Sequence, residues 1–408
     1  MNDEIDFADM LHRRLCIVFC SLGTVSAKTR VAILGLPNVG KSSLFNAIAQ
    51  QSIAQAANFP FCTIEPNLAP IAVPSEYLAN LGAHAGSARC VPATIEWVDV
   101  AGLAKGASRG EGLGNKFLGT ARECDVICHV VRAFDDPDTI HVDGRLDPTA
   151  DAEVINLELI LADEAHCQRR LERTTCRGEE RAALEQVVAG LQQGIPARAV
   201  GLAPAQTRLA GVKSMGLLTL KPMLYTFNLD EADFALGREA ALAEAESVVR
   251  SLSYCDAAID RVAVCSAKLE AGLAARDHDE QLRYLDDIGI ELTASGGRPD
   301  ALLCHHALPT VVRELLGLEL AYTGPGVPSD RSQTTKAHLF RRQSLTAGGL
   351  AGRLHGDIEK GFLRAEVCAA HALLEHETFA AARDAGSIRT EGREYALQAE
   401  DVVLIKWK

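Results

Sequence analysis

Arg30-Val-Ala-Ile-Leu-Gly-Leu-Pro-Asn-Val-Gly-Lys-Ser-Ser-Leu-Phe-Asn46 decides the fold of this 408-residue chain. A short apolar strand runs into the loop Gly35-x-x-x-x-Gly40-Lys41-Ser42, and the loop runs into a helix. A loop of that length between strand and helix turns successive backbone N–H groups inward, where they and the helix N-terminus hold a polyphosphate. Lys41 then reaches the β/γ-phosphates and Ser42 offers its hydroxyl to Mg²⁺.

Downstream, Asn58-Phe-Pro-Phe-Cys-Thr-Ile-Glu-Pro-Asn67 reads as a constrained irregular loop, in which Thr63 is placed to close over Mg²⁺ and a γ-phosphate or simply to cap a turn. Ala93-Thr-Ile-Glu-Trp-Val-Asp-Val-Ala-Gly102 reads as a buried strand ending in Asp99-x-x-Gly102. An Asp at a strand end beside a phosphate loop binds Mg²⁺, usually through water, while a Gly102 amide donates to the γ-phosphate. Many GTPases carry a water-orienting glutamine after that glycine; here it is Leu103, which hydrogen-bonds nothing. Lys105–Phe117, rich in Gly and charge, reads as a loop entering a helix, and Val126–Arg132 returns to the sheet. His129, inside that apolar run, reads as a core histidine before it reads as an acid or base.

From Asp151 to about Ala210 the period becomes helical: Val154, Leu157, Leu161, Gln168 and Leu171 form one stripe, and Leu184, Val187, Val188 and Leu191 another, a helical hairpin inserted in an α/β domain. The α/β pattern resumes at Lys221–Glu231 and Arg261–Glu270. After the first of these strands GTPases usually carry Asn-Lys-x-Asp, whose Asp reads two guanine donors. This chain has Asn228-Leu229-Asp230-Glu231, so guanine recognition is compromised while Asn228 still addresses an amino group.

The length implies two or three domains, and 48% apolar residues suffice for a core. A net charge of −13 argues against a broad nucleic-acid binder, so sequence-specific DNA is not expected and any RNA contact must be regional. The 12 cysteines are irregularly spaced and read as small buried hydrophobes of a reducing compartment; Cys124/Cys128/His129 and Cys304-His305-His306 each lack a matching second half for a metal site. The apolar run Leu15–Leu22 is too short to span a bilayer, so the expectation is a cytoplasmic protein without a membrane partner, preceded by an extension over residues 1–28.

Together these segments resemble the Obg-like ATPase (YchF) family of P-loop proteins, over nearly the whole chain from Arg30. Gly35–Ser42, Asn58–Asn67, Asp99–Leu103, Lys105-Gly-Ala-Ser108, Gly110–Asn115 and Asn228-x-x-Glu231 carry the resemblance. It implies an α/β P-loop NTPase G domain (29–150 and 213–317), an inserted helical hairpin (151–212) and a C-terminal β-grasp, or TGS, domain (318–408). It further implies ATP as nucleotide, contacted through Asn228, Leu229 and Glu231, with Asn38, Val39, Gly40, Lys41, Ser42 and Ser43 wrapping the phosphates. Ser42 and Thr63 would ligate Mg²⁺, and Lys41, Thr63, Asp99 and Gly102 would serve catalysis. Asn38 matches the asparagine that ligates K⁺ in potassium-activated relatives lacking the glutamine. Slow ATP hydrolysis and ribosome association are the implied functions, with a GTPase of the same fold and a non-hydrolysing nucleotide-gated module as alternatives. Ile358–Val367 and Glu391–Tyr395 keep the TGS pattern, whereas Ser332–Gln343 and Gln398–Asp401 depart from it.

Overall fold

The computed structural model describes residues 29–55, 67–100, 113–135, 146–253, 255–256, 259–274, 276, 278–289, 303–327 and 333–408. Thr63, Gly102, Leu103 and the extension 1–28, all singled out in the sequence, lie outside them.

In chain order, the first part runs β1 (Arg30–Leu34), α1 (Lys41–Gln55), β2 (Leu68–Ala72), α2 (Leu78–His84), β3 (Arg89–Val91), β4 (Thr94–Asp99), α3 (Leu113–Arg122) and β5 (Val126–Ala133). The helical pair α4 (Pro148–Leu171) and α5 (Gly178–Leu191) follows, then β6 (Met223–Leu229), α6 (Glu231–Ser251), β7 (Arg261–Cys265), α7 (Ala267–Ala274), α8 (His278–Asp287) and α9 (Cys304–Leu315). The first sheet has the order β2-β4-β1-β5-β6-β7, with β2 antiparallel to β4 and the other pairs parallel. Parallel strands covered by helices bury both faces, hence the unbroken apolar runs. Val31, Ala32 and Ile33 of central β1 are wholly buried. The chain leaves β1 toward β4 on one side and returns as β5 on the other, so a crevice opens at the carboxyl ends of these strands.

The inserted pair departs from the expected stripe. In α4 the buried positions include Asp151, Ile155, Asn156, Leu159, Ile160, Asp163 and Cys167, whereas Leu157 is 38% exposed. Helix α4 packs on β5 and on α5, and it buries polar side chains with distant partners: Asn156 bonds to the Tyr225 hydroxyl of β6 at 2.8 Å and Asp163 accepts from Arg122 at the end of α3 at 2.6 Å. A stripe drawn through apolar residues alone omits those positions. On α5 the expected Leu184, Val187 and Leu191 are buried.

The second sheet consists of β8 (Leu318–Thr323), β9 (Thr334–Arg341), β10 (Phe362–Ala369), β11 (Arg389–Glu391) and β12 (Asp401–Trp407), joined by β3 from the first part. Its order is β11-β10-β12-β8-β9-β3, and β3 lies parallel to β9 with Cys90 opposite Thr335. The Ser87 and Thr335 hydroxyls share a hydrogen bond at 2.8 Å, as do Ser75 and Tyr322 at 2.8 Å. One apolar core is continuous from Val31 through Leu308 of α9 to Leu320 and Val402. The second sheet is therefore anchored to the first by a strand and by shared core. Among the described residues no helix is long and apolar enough to cross a membrane.

Candidate functional site

The loop between β1 and α1 stands at the mouth of the crevice. Its buried Leu36 and Val39 anchor it to the core, leaving Asn38 exposed at the tip with a φ of 63°. Two glycines are required by geometry. A Cβ at Gly35 would lie 2.4 Å from the Val130 carbonyl oxygen, and one at Gly40, whose φ is 93°, would lie 2.4 Å from Asn228 Nδ2. Backbone can thus approach backbone where phosphate oxygens would be received. The Leu44 N–H donates to the Gly40 carbonyl at 2.9 Å, starting α1 directly from the loop.

Lys41 and Ser42 open that helix. Lys41 is only 6% exposed, and its ammonium donates to the Leu36 carbonyl at 2.6 Å, across the loop it belongs to. Burial lowers its pKa to about 8, against the opposing pull of Asp99. Ser42 Oγ donates to Asp99 Oδ2 at 2.7 Å, bridging the start of α1 and the end of β4. Asp99 Oδ1 is buried with no hydrogen-bond partner among the described residues. A hydroxyl and a carboxylate with an unused oxygen form a hard-oxygen donor set that suits Mg²⁺. Ser43 follows, exposed, on the same first turn.

Asn228, at the end of β6, is a strut. Its amide Nδ2 donates to the Val39 carbonyl at 3.0 Å, and its Oδ1 accepts from the Ala267 N–H at 2.9 Å. It ties the phosphate loop to the first residue of α7, just after β7, and so links the ends of β1, β6 and β7. Leu229 follows, half-buried, and Glu231 is the first residue of α6, whose N-cap Asp230 accepts from the Ala232 N–H at 3.1 Å. The Tyr284 hydroxyl on α8 donates to Glu231 Oε1.

His129 lies inside β5 opposite Leu34, with its ring 5.4 Å from that of Tyr225. Burial, assisted by the nearby Lys41 charge, pushes its pKa down to about 3. It is a neutral core ring at neutral pH, without the imidazolium proton that a general acid gives. The structure thus brings together Asn38 through Ser43, Asp99, Asn228, Leu229 and Glu231, while Thr63 and Gly102 lie outside the described residues. Two partners were not singled out from the sequence. The Ala267 amide sits in Ser266-Ala-Lys268, directly after an apolar strand, and that position was a usable signal. Tyr284 lies 53 residues beyond Glu231 and carries no local signal.

Comparisons with known proteins agree with this geometry. A family model described as "50S ribosome-binding GTPase" matches residues 30–161, and one named YchF-GTPase_C, described as a protein of unknown function, matches residues 332–408. The ribosome-binding ATPase YchF of Bacillus subtilis (strain 168) is 38% identical over 91% of this chain and 97% of its own length. Obg-like ATPase 1 of Pongo abelii is 32% identical over 95% and 94%. The solved structure of the Schizosaccharomyces pombe YchF GTPase superposes with a TM-score of 0.77 at 30% identity, covering 93% of this chain and 98% of that one. With a phosphate loop at a G-domain crevice and relatives matched along almost their entire length, the chain belongs to the YchF family.

Proposed function

We propose that this protein is a slow, Mg²⁺-dependent ATPase that works as a nucleotide switch on the ribosome in the cytoplasm. The observation that carries the reading is the convergence of Lys41, Ser42 and Asp99 at the mouth of the crevice, with Ser42 Oγ 2.7 Å from Asp99 Oδ2 and Asp99 Oδ1 unpartnered among the described residues. Ser42, with Thr63, would hold Mg²⁺, which neutralises charge on the β/γ-oxygens when bound. Lys41 exchanges its Leu36 carbonyl partner for phosphate oxygens, and the backbone from Asn38 to Ser43 wraps them. Asp99 would serve Mg²⁺, usually through water, and the Gly102 amide would donate to the γ-phosphate. Asn38 would add a K⁺ ion, supplying charge where Leu103 supplies none.

Leu229 and Glu231, in place of Lys and Asp, support ATP, and the relatives named as ATPases support it further. The GTPase reading keeps the support of the fission-yeast structure and of the first family description. We assign 29–150 and 213–317 to the G domain, 151–212 to the hairpin and 318–408 to a TGS module that contacts ribosomal RNA. The second sheet's own strands, beginning at Leu318, support that division.

Competition between ATP and GTP tests the nucleotide: equal affinities remove the ATP assignment. Phosphate release over many turnovers, well above a Lys41→Ala control, excludes a non-hydrolysing module. Cosedimentation with ribosomes should rise with ATP and Mg²⁺ relative to ADP, and indifference to nucleotide would defeat the switch.

A further inference from the structure

We infer that Tyr284 sets the base preference of this site, acting as a positioning residue on Glu231. The inference rests on the ATP reading above and gives it a second component. The Tyr284 hydroxyl donates to Glu231 Oε1, joining the middle of α8 to the first residue of α6. The tyrosine is itself held: the Arg276 guanidinium lies over its ring at 4.1 Å, and the ring packs against the main core. Arg276 is fixed in turn by its side-chain bond to the Gly272 carbonyl and by its own N–H, which donates to the Leu273 carbonyl at 3.0 Å. Gln281 Nε2 donates to the carbonyls of Leu273 at 2.9 Å and Arg276 at 3.2 Å, so the turn between α7 and α8 is pinned from both sides.

A carboxylate reads guanine by presenting both oxygens, in one plane, to the N1–H and the 2-amino group. Here the phenol O–H takes one lone pair of Oε1 and fixes the carboxylate plane, so Glu231 cannot turn both oxygens toward the same base edge. A carboxylate held in that plane can accept from one N–H of the 6-amino group of adenine but not from two guanine donors at once. It leaves guanine with a buried donor unpaired, and the unmade bond is where discrimination arises. Glu231 thus disfavours guanine through its partner as well as through its length. The hydrogen bond also holds the Tyr284 hydroxyl above its ordinary pKa, so it stays a donor across the physiological range.

The test is calorimetric binding of the Mg²⁺ complexes of ADP, GDP and IDP to the full chain and to Tyr284→Phe. Wild type should prefer ADP. Tyr284→Phe frees Oε1, and GDP affinity should rise about tenfold, the worth of one charge-assisted hydrogen bond, with ADP nearly unchanged. IDP, which lacks the 2-amino group, should gain less than GDP. Arg276→Ala, which releases the ring but keeps the hydroxyl, should shift the ratio in the same direction by less. An unchanged GDP/ADP ratio in a Tyr284→Phe protein whose wild type prefers ADP would overturn the inference while leaving the ATP reading intact. Equal weakening of all three nucleotides would also overturn it, because that marks a merely structural tyrosine. Equal wild-type affinities for ADP and GDP would sink the ATP reading and this inference with it.

Discussion

Nucleotide affinity should fall steeply above pH 8, and Lys41 should be the cause. In the free loop its ammonium is 6% exposed, with the Leu36 carbonyl at 2.6 Å, and burial brings its pKa from 10.5 down to about 8. A bound polyphosphate adds the negative charge that a carbonyl cannot, returning the pKa toward its ordinary value. The complex then holds the proton more tightly than the free protein. Below pH 8 both are charged and affinity is flat; above it, binding must take up a proton, and affinity declines until the pKa of the complex is reached. With these two values, affinity at pH 9.5 is about thirtyfold below that at pH 7. Calorimetry at pH 8.5 in two buffers of different ionisation enthalpy should register uptake of about 0.8 proton per ATP bound. Neighbouring groups do not confuse the window, since burial pushes His129 down to about 3 and Cys128 up to about 12. Lys41→Arg keeps its charge and should lose the slope even where its absolute affinity is lower. Constant wild-type affinity from pH 7 to 9.5, with no proton uptake, would refute the reasoning.

Gly40→Ala places a methyl 2.4 Å from Asn228 Nδ2 at a φ of 93°, and should reduce ATP affinity more than about tenfold while the chain still folds; binding at the wild-type level would show that the loop relaxes around it. Arg198→Met leaves Asp260 buried without its 2.6 Å cation and should cost about 3–5 kcal/mol in urea unfolding. A loss under about 1 kcal/mol would mean that water reaches the pair. If Asn38 helps hold a monovalent cation, exchanging Na⁺ for K⁺ at constant ionic strength should speed turnover, and Asn38→Ala should erase the difference. Identical wild-type rates in the two salts would dispose of that cation.

The first sheet and its phosphate loop were legible in the sequence because their signals are local. A continuous apolar strand, the glycine spacing and Lys41-Ser42 fall within one strand-loop-helix unit, and the order of backbone donors there follows from spacing alone. The same holds for Asp99 at its strand end, and for Leu229 and Glu231, which replace residues at fixed offsets from Asn228. Tertiary structure decided what depends on partners distant in the chain. Helix α4 buries Asn156 and Asp163 because Tyr225 of β6, Arg122 of α3 and Thr219 offer them hydrogen bonds, which no apolar period can encode. The three residues of β3 are too few to show alternation, and only the edge of β9 made them a strand of the other sheet. Asn228 became a strut, and Glu231 a carboxylate held by a phenol, because Ala267 and Tyr284 arrive from elements dozens of residues away. Sequence spacing determined which groups gather at the loop between β1 and α1; long-range packing determined how each group is held, since a side chain's hydrogen bonds are set by whatever the fold brings beside it.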